Sequence, residues 1–145
     1  RPEMDIPIVP ILTNCIAPPL PRPKRFYEVG QAIRAVIDGL QTNKRIAVIV
    51  SGHLSLEIGG PKQFERKLMD PNFDAAAVGW IAQGDVNDAV NHCSFDQLKQ
   101  SGNMTHGFLN FIMMMGVANA TPPSHAEALD AGFPAVPFFS WDAPK

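Results

Sequence analysis

Two short stretches of this chain concentrate residue types that could do chemistry. The first reads Ser51-Gly52-His53-Leu54-Ser55-Leu56-Glu57-Ile58-Gly59-Gly60-Pro61 and sets a histidine and a carboxylate among glycines directly after an apolar run. A turn of that kind lets side chains point into a cleft, and His53 and Glu57 are the types that move protons. The plain alternative is a strand-to-loop corner whose glycines serve the backbone and whose His53 and Glu57 are solvated. The second stretch, Ser101-Gly102-Asn103-Met104-Thr105-His106-Gly107-Phe108-Leu109-Asn110-Phe111, breaks one helix and opens another, with His106 in its first turn. There the alternative is a capping turn in which Asn103 or Thr105 satisfies free amides and His106 is incidental.

Other chemistries fit less well. The glycine-rich stretch lacks the Gly-Lys-Ser/Thr ending of a phosphate loop, and Ser55 lacks the Gly-x-Ser-x-Gly elbow of a serine hydrolase. His92 beside Cys93 and the lone His125 make no metal-binding spacing with each other.

The elements that must position these stretches are partly legible. Ile6 to Thr13, IPIVPILT, is β-branched and apolar and predicts a strand left partly unpaired at its prolines. Asn14 to Lys24 carries four prolines that fix φ and predict a stiff extended loop walling a cleft. Phe26, Val29, Ile33, Val36, Ile37 and Leu40 recur at helical spacing and predict an amphipathic helix. Arg45 to Ser51, RIAVIVS, is a continuous apolar run of the kind that forms a strand covered on both faces. Strand, helix, strand implies a right-handed parallel crossover, and ligands collect beyond the carboxyl ends of such strands, at Ser51 to Pro61.

The second half predicts helices at Asn72 to Ala82, Val86 to Asn91, Phe95 to Gln100 and His106 to Met115. Ser94 and Gln97 form a capping-box pattern, Gly116 is the expected stop of the last helix, and Met113, Met114 and Met115 are expected in the core. The closing AVPFFSW predicts a strand carrying Phe138 and Trp141 into a core or an interface. The fold class is α/β: a partial domain with a mixed or parallel sheet flanked by helices, and a helix-rich second half.

Composition sets outer limits. The 145 residues suffice for one compact domain with a real core, so residues 1–145 are read as a single unit. A net charge of -2 with no clustered Lys/Arg stripe argues against nucleic acid and favours a small neutral or anionic substrate. The two cysteines, Cys15 and Cys93, are too few for a disulfide framework, which makes a reducing cytoplasm the simpler expectation. No stretch predicts a membrane span. The chain opens on Arg1 and enters an apolar run at once, so it reads as the continuation of a longer polypeptide.

With Pro18-Pro19-Leu20-Pro21, Lys24-Arg25 and Gly30 ahead of the RIAVIV run, Ser51-Gly52-His53-Leu54-Ser55 at its end, and the later Ser101-Gly102-Asn103 turn, the chain resembles the class III extradiol ring-cleaving dioxygenases, the family of the protocatechuate 4,5-dioxygenase catalytic subunit. The similarity spans roughly Ile6 to Val117 and corresponds to the family's C-terminal half. It implies an enzyme that opens a substituted catechol with dioxygen, using non-haem Fe(II) held by two histidines and a carboxylate, with a further histidine as acid/base. The two iron histidines belong to the N-terminal half, so a second polypeptide or that missing half is an implied partner, and an oligomer is expected.

The chain departs from the family pattern at both sites. Where the family commonly reads Gly-Gly-Met/Leu-Ser-His, Leu56 occupies the histidine position and His53 stands three residues earlier; where the ligating glutamate would lie, register places Gly107 beside His106. Two readings follow. In a divergent enzyme His53 supplies the acid/base and His106 or Glu57 replaces the metal carboxylate, which requires the three side chains to converge on one cleft. In a non-catalytic structural subunit the fold persists without the site.

Overall fold

A computed structural model describes residues 6–65, 69–130 and 135–142; the opening Arg1 lies outside them. The first helix, α1, runs Pro23–Gly39. Its start falls where the proline-rich loop ends, because a proline at the first helical position brings a preset φ and lacks only an N–H that would be orphaned anyway. Helix α2 (Pro71–Gln83) starts the same way after Asp70, whose side chain accepts from the Phe73 amide at 2.9 Å. Two short helices follow, α3 (Val86–Asn91) and α4 (Phe95–Gln100), the latter opened by the expected Ser94/Gln97 capping box.

A single 3-10 turn, Thr105–Phe108, leads into α5 (Leu109–Val117). Leu109, Phe111, Ile112, Met113, Met115, Gly116 and Val117 are all buried, so α5 is apolar around most of its circumference and forms the axis of the core. Met113 and Met115 are buried as expected, while Met114 is half-buried. Phe108 is fully enclosed and meets Phe73 and Trp80 edge-on at 5.5 and 6.4 Å, locking α2 against the entry of α5.

Gly116 does not stop α5. It lies inside the helix at the crossing with α1, where an added Cβ would collide with the Tyr27 carbonyl oxygen; a Cβ on Gly30 would likewise collide with the Met113 carbonyl. The two glycines let the helix backbones touch, which is a packing role rather than a capping one.

The sheet among the described residues is an antiparallel hairpin of β1 (His125–Asp130) and β2 (Ala135–Ser140), paired from His125↔Ser140 to Asp130↔Ala135. Ala135, Pro137 and Phe139 turn inward while Val136 and Phe138 stay exposed, the alternation of a half-buried strand. Phe139 reaches Phe111 of α5 at 5.8 Å, and the Trp141 indole donates to the Thr121 carbonyl at 2.8 Å.

The α/β class holds, but no parallel crossover forms among the described residues. The runs 6–13 and 45–51 carry no ladder, and between Ile6 and Thr13 and between Arg45 and Val50 no backbone group bonds another backbone group among the described residues. Much of their apolar surface faces solvent: Ile8 is 83%, Leu12 96% and Ile49 91% exposed, while Val48 is half-buried and Val50 packs against the core. The C-terminal end of α1 shares this lack of cover, since Val36 and Leu40, the residue just after the helix, are exposed too.

Candidate functional site

The two stretches singled out in the sequence lie side by side, joined by a zipper of polar bonds. The Met104 amide donates to the Leu56 carbonyl at 2.9 Å, and the Leu56 amide donates to Thr105 Oγ1 at 3.1 Å. Asn103 clamps Ile58 from both sides: its Oδ1 accepts the Ile58 amide at 2.9 Å, and its Nδ2 donates to the Ile58 carbonyl at 2.8 Å. Asn and Thr at these positions therefore satisfy loop backbone that has no sheet to pair with.

An open cleft of about 310 Å³ forms where the proline-rich loop meets both stretches. Such a volume is near the lower bound of about 300 Å³ for small-molecule sites. Its walls include Thr13, Cys15, His53, Met104, Gly107 and Asn110. Asn110, from the first turn of α5, ties two segments of the wall to that helix. Its Oδ1 accepts from Thr13 Oγ1 at 2.7 Å and from Cys15 Sγ at 3.6 Å, and its Nδ2 donates to the Ser51 carbonyl at 2.9 Å. Asn110 falls inside the second candidate stretch but carries no role there; its signal is a polar residue in an otherwise apolar helix.

His53 is exposed at this cleft and lies over Gly107, where a Cβ would come within 2.9 Å of its Cδ2. Among the described residues the other titratable group on the cleft wall is Cys15, whose thiol burial pushes up from its ordinary value against the lowering hydrogen bond with Thr13.

Glu57 and His106 do not join His53 there. Glu57 folds back over the Gly59-Gly60 turn, where a Cβ on Gly60 would collide with its carboxylate. His106 is buried, its ring 4.5 Å from that of Phe95, with Nε2 3.0 Å from the Phe95 carbonyl. That carbonyl can only accept, so Nε2 is the donor, and the buried Nδ1 has no hydrogen-bond partner among the described residues. The expected three-residue convergence is thus reduced to one, because the 3-10 turn packs His106 against Phe95 of α4 while Gly107 faces the cleft. The remaining histidines are elsewhere: His92 stacks on Trp80 at 5.6 Å, and His125 sits 3.3 Å from Glu127 on the exposed hairpin.

Among the described residues no three His, Cys, Asp or Glu side chains come together as a metal cage. The residues present therefore do not fit the Fe(II) site expected of an extradiol enzyme. No helix among them is long and apolar enough to cross a membrane.

A 2,3-dihydroxyphenylpropionate/2,3-dihydroxicinnamic acid 1,2-dioxygenase from Pseudomonas putida is 45% identical over 49 residues, 34% of this chain and 15% of that protein. The aligned part is thus a small fraction of the relative's length. No solved structure matches. The model of the catalytic LigB subunit of aromatic ring-opening dioxygenases matches residues 2–143, nearly the whole chain, and the chain belongs to that family.

Proposed function

We propose that this chain forms the acid/base wall of an extradiol ring-cleaving dioxygenase acting on a substituted catechol, and that further polypeptide completes the site. The observation that carries the reading is His53, exposed at the cleft beside a thiol held neutral by burial. His53 accepts a proton from a catechol hydroxyl and returns it to oxygen during ring opening, the work an imidazole does best near neutral pH. Both oxygen atoms of dioxygen enter the product as the ring C–C bond next to the diol breaks; dioxygen takes the electrons the ring loses, so no further reductant is needed. Fe(II), when bound, would supply the activation of dioxygen, and its ligands would come from outside the described residues.

The apolar runs 6–13 and 45–51 are where that further polypeptide adds strands, since backbone groups outside any ladder and the bare side chains of Ile8, Leu12 and Ile49 are what a β-sheet neighbour satisfies. The same exposed runs favour a second reading, a non-catalytic structural subunit. One experiment separates the two. The full polypeptide carrying this chain is supplied with Fe(II), dioxygen and substituted catechols, and ring opening is followed by absorbance. His53→Ala lowers kcat by about 100-fold or more if the imidazole moves the proton, and an unchanged kcat assigns the chain to scaffolding.

A further inference from the structure

The tripeptide Gly52-His53-Leu54 is held at both ends. On one side the Asn110 amide grips the Ser51 carbonyl; on the other, Ser55 is gripped by Asp74 of α2. Asp74 spends both oxygens on this one residue: Oδ1 accepts the Ser55 amide at 2.7 Å and Oδ2 the Ser55 hydroxyl at 2.8 Å. Ser55 Oγ in turn accepts the Asp70 amide at 3.0 Å, so its hydroxyl proton is directed at Asp74 and cannot rotate away without losing a bond. The lattice continues to the second stretch, where Ser101 Oγ donates to Asp70 Oδ2 at 2.8 Å.

Asp74 is 6% and Ser55 2% exposed, and no cation pairs with Asp74 among the described residues. Burial, with a smaller contribution from neighbouring Asp70, holds its carboxyl above the ordinary value, although the Ser55 bonds pull it down. Buried, uncompensated carboxylates cost stability, and a neutral side chain would fill the space with less penalty. What a carboxylate offers here is two parallel acceptors that fix one residue's amide and hydroxyl together.

We infer that Asp74 is a positioning residue, acting through Ser55 to hold the His53 imidazole at the cleft in register with the ring that is cleaved. This rests on the role proposed for His53. Displacing a catalytic group by about 1 Å can cost on the order of 100-fold in rate while leaving ground-state binding intact.

The test uses the full polypeptide with its iron, and compares Asp74→Ala, Asp74→Asn, Ser55→Ala and the Asp74→Asn/Ser55→Ala double variant. Asp74→Ala is expected to lower kcat by about 100-fold with KM unchanged. Asp74→Asn keeps an acceptor for the Ser55 amide and recovers part of that loss. The double variant is no worse than the poorer single one, because both remove the same hydroxyl contact. In parallel, the His53 ring signals, identified by their absence in His53→Ala, are followed by NMR: they shift and broaden in Asp74→Ala while those of His92 and His125 stay in place. The NMR arm does not depend on turnover, so it decides the positioning claim even if no catechol is cleaved. His53 signals unmoved in both Asp74 variants would overturn it; if Asp74→Ala fails to fold, Asp74→Asn decides alone.

Discussion

Gly30 of α1 and Gly116 of α5 face each other across the helix crossing with no room for a side chain on either. Alanine at Gly116 gains about 1 kcal/mol of helix propensity, but its Cβ would meet the Tyr27 carbonyl and the Gly30 Cα, neither of which is a flexible tip. Overpacking of that kind costs about 1–3 kcal/mol and wins. Gly79 in α2 supplies the control, since nothing lies within 4 Å of a Cβ there. Urea denaturation is expected to show Gly116→Ala less stable than the parent and Gly79→Ala more stable by about 0.5–1 kcal/mol.

The contrast between those glycines explains much of what could be read in advance. Helices α2, α3 and α4 announce themselves through local chemistry, namely Asp70-Pro71, Asp85 and the Ser94/Gln97 box, and each begins within a residue of its expected place. Gly116 has the local look of a helix stop and a tertiary role that only the partner helix reveals. The 45–51 run signals burial on both faces, yet among the described residues only Val48 and Val50 find partial cover, and Ile46 and Ile49 stay exposed. Strand β1, HAEALD, has no β-branched residue and forms because β2 lies opposite it. At the site, both stretches were legible from glycine and histidine content, and they do meet. Which way each side chain points was not, because that depends on the 3-10 turn separating His106 from Gly107.

Asn110 links Thr13, Cys15 and Ser51, so its loss should loosen three parts of the cleft together. Asn110→Ala removes those bonds at a cost of about 1–3 kcal/mol, mostly from polar groups left without partners. Asn110→Asp keeps the acceptor for Thr13 and Cys15 but turns a donor toward Ser51 into a second acceptor, and is expected to be no better at holding the loop. Thermal melting measures the stability loss, and faster alkylation of Cys15 reports the opened wall.

Cys93 is fully enclosed, and burial pushes its thiol up to about 12 from 9.0. In the unfolded chain the thiol ionises at lower pH, so between pH 9 and 12 the unfolded state binds fewer protons than the folded one. Stability contributed by the retained proton is complete below pH 9 and drains away as pH rises toward 12. Denaturant titrations across that interval should show a steeper alkaline loss for the parent than for Cys93→Ala, and Cys93 should resist alkylation in the folded protein at pH 8. Equal alkaline slopes would place the titration elsewhere.

The bare apolar runs make the last prediction. Ile8, Val9, Leu12 and Ile49 are each more than four-fifths exposed, far beyond scattered surface apolar residues, and their backbones carry no mutual bonds. Produced as the 145-residue chain alone, the protein should bind a hydrophobic dye and exchange the amides of 46–50 rapidly, while those inside α5 exchange slowly. In the full polypeptide the same amides should become protected, because a neighbouring strand would occupy them. Changing Ile49 to Lys should then reduce dye binding by the isolated chain yet destabilise the complete one. The opposite signs distinguish a surface awaiting its partner from one that is merely exposed, and a Lys at position 49 tolerated equally in both settings would rule the partner strand out.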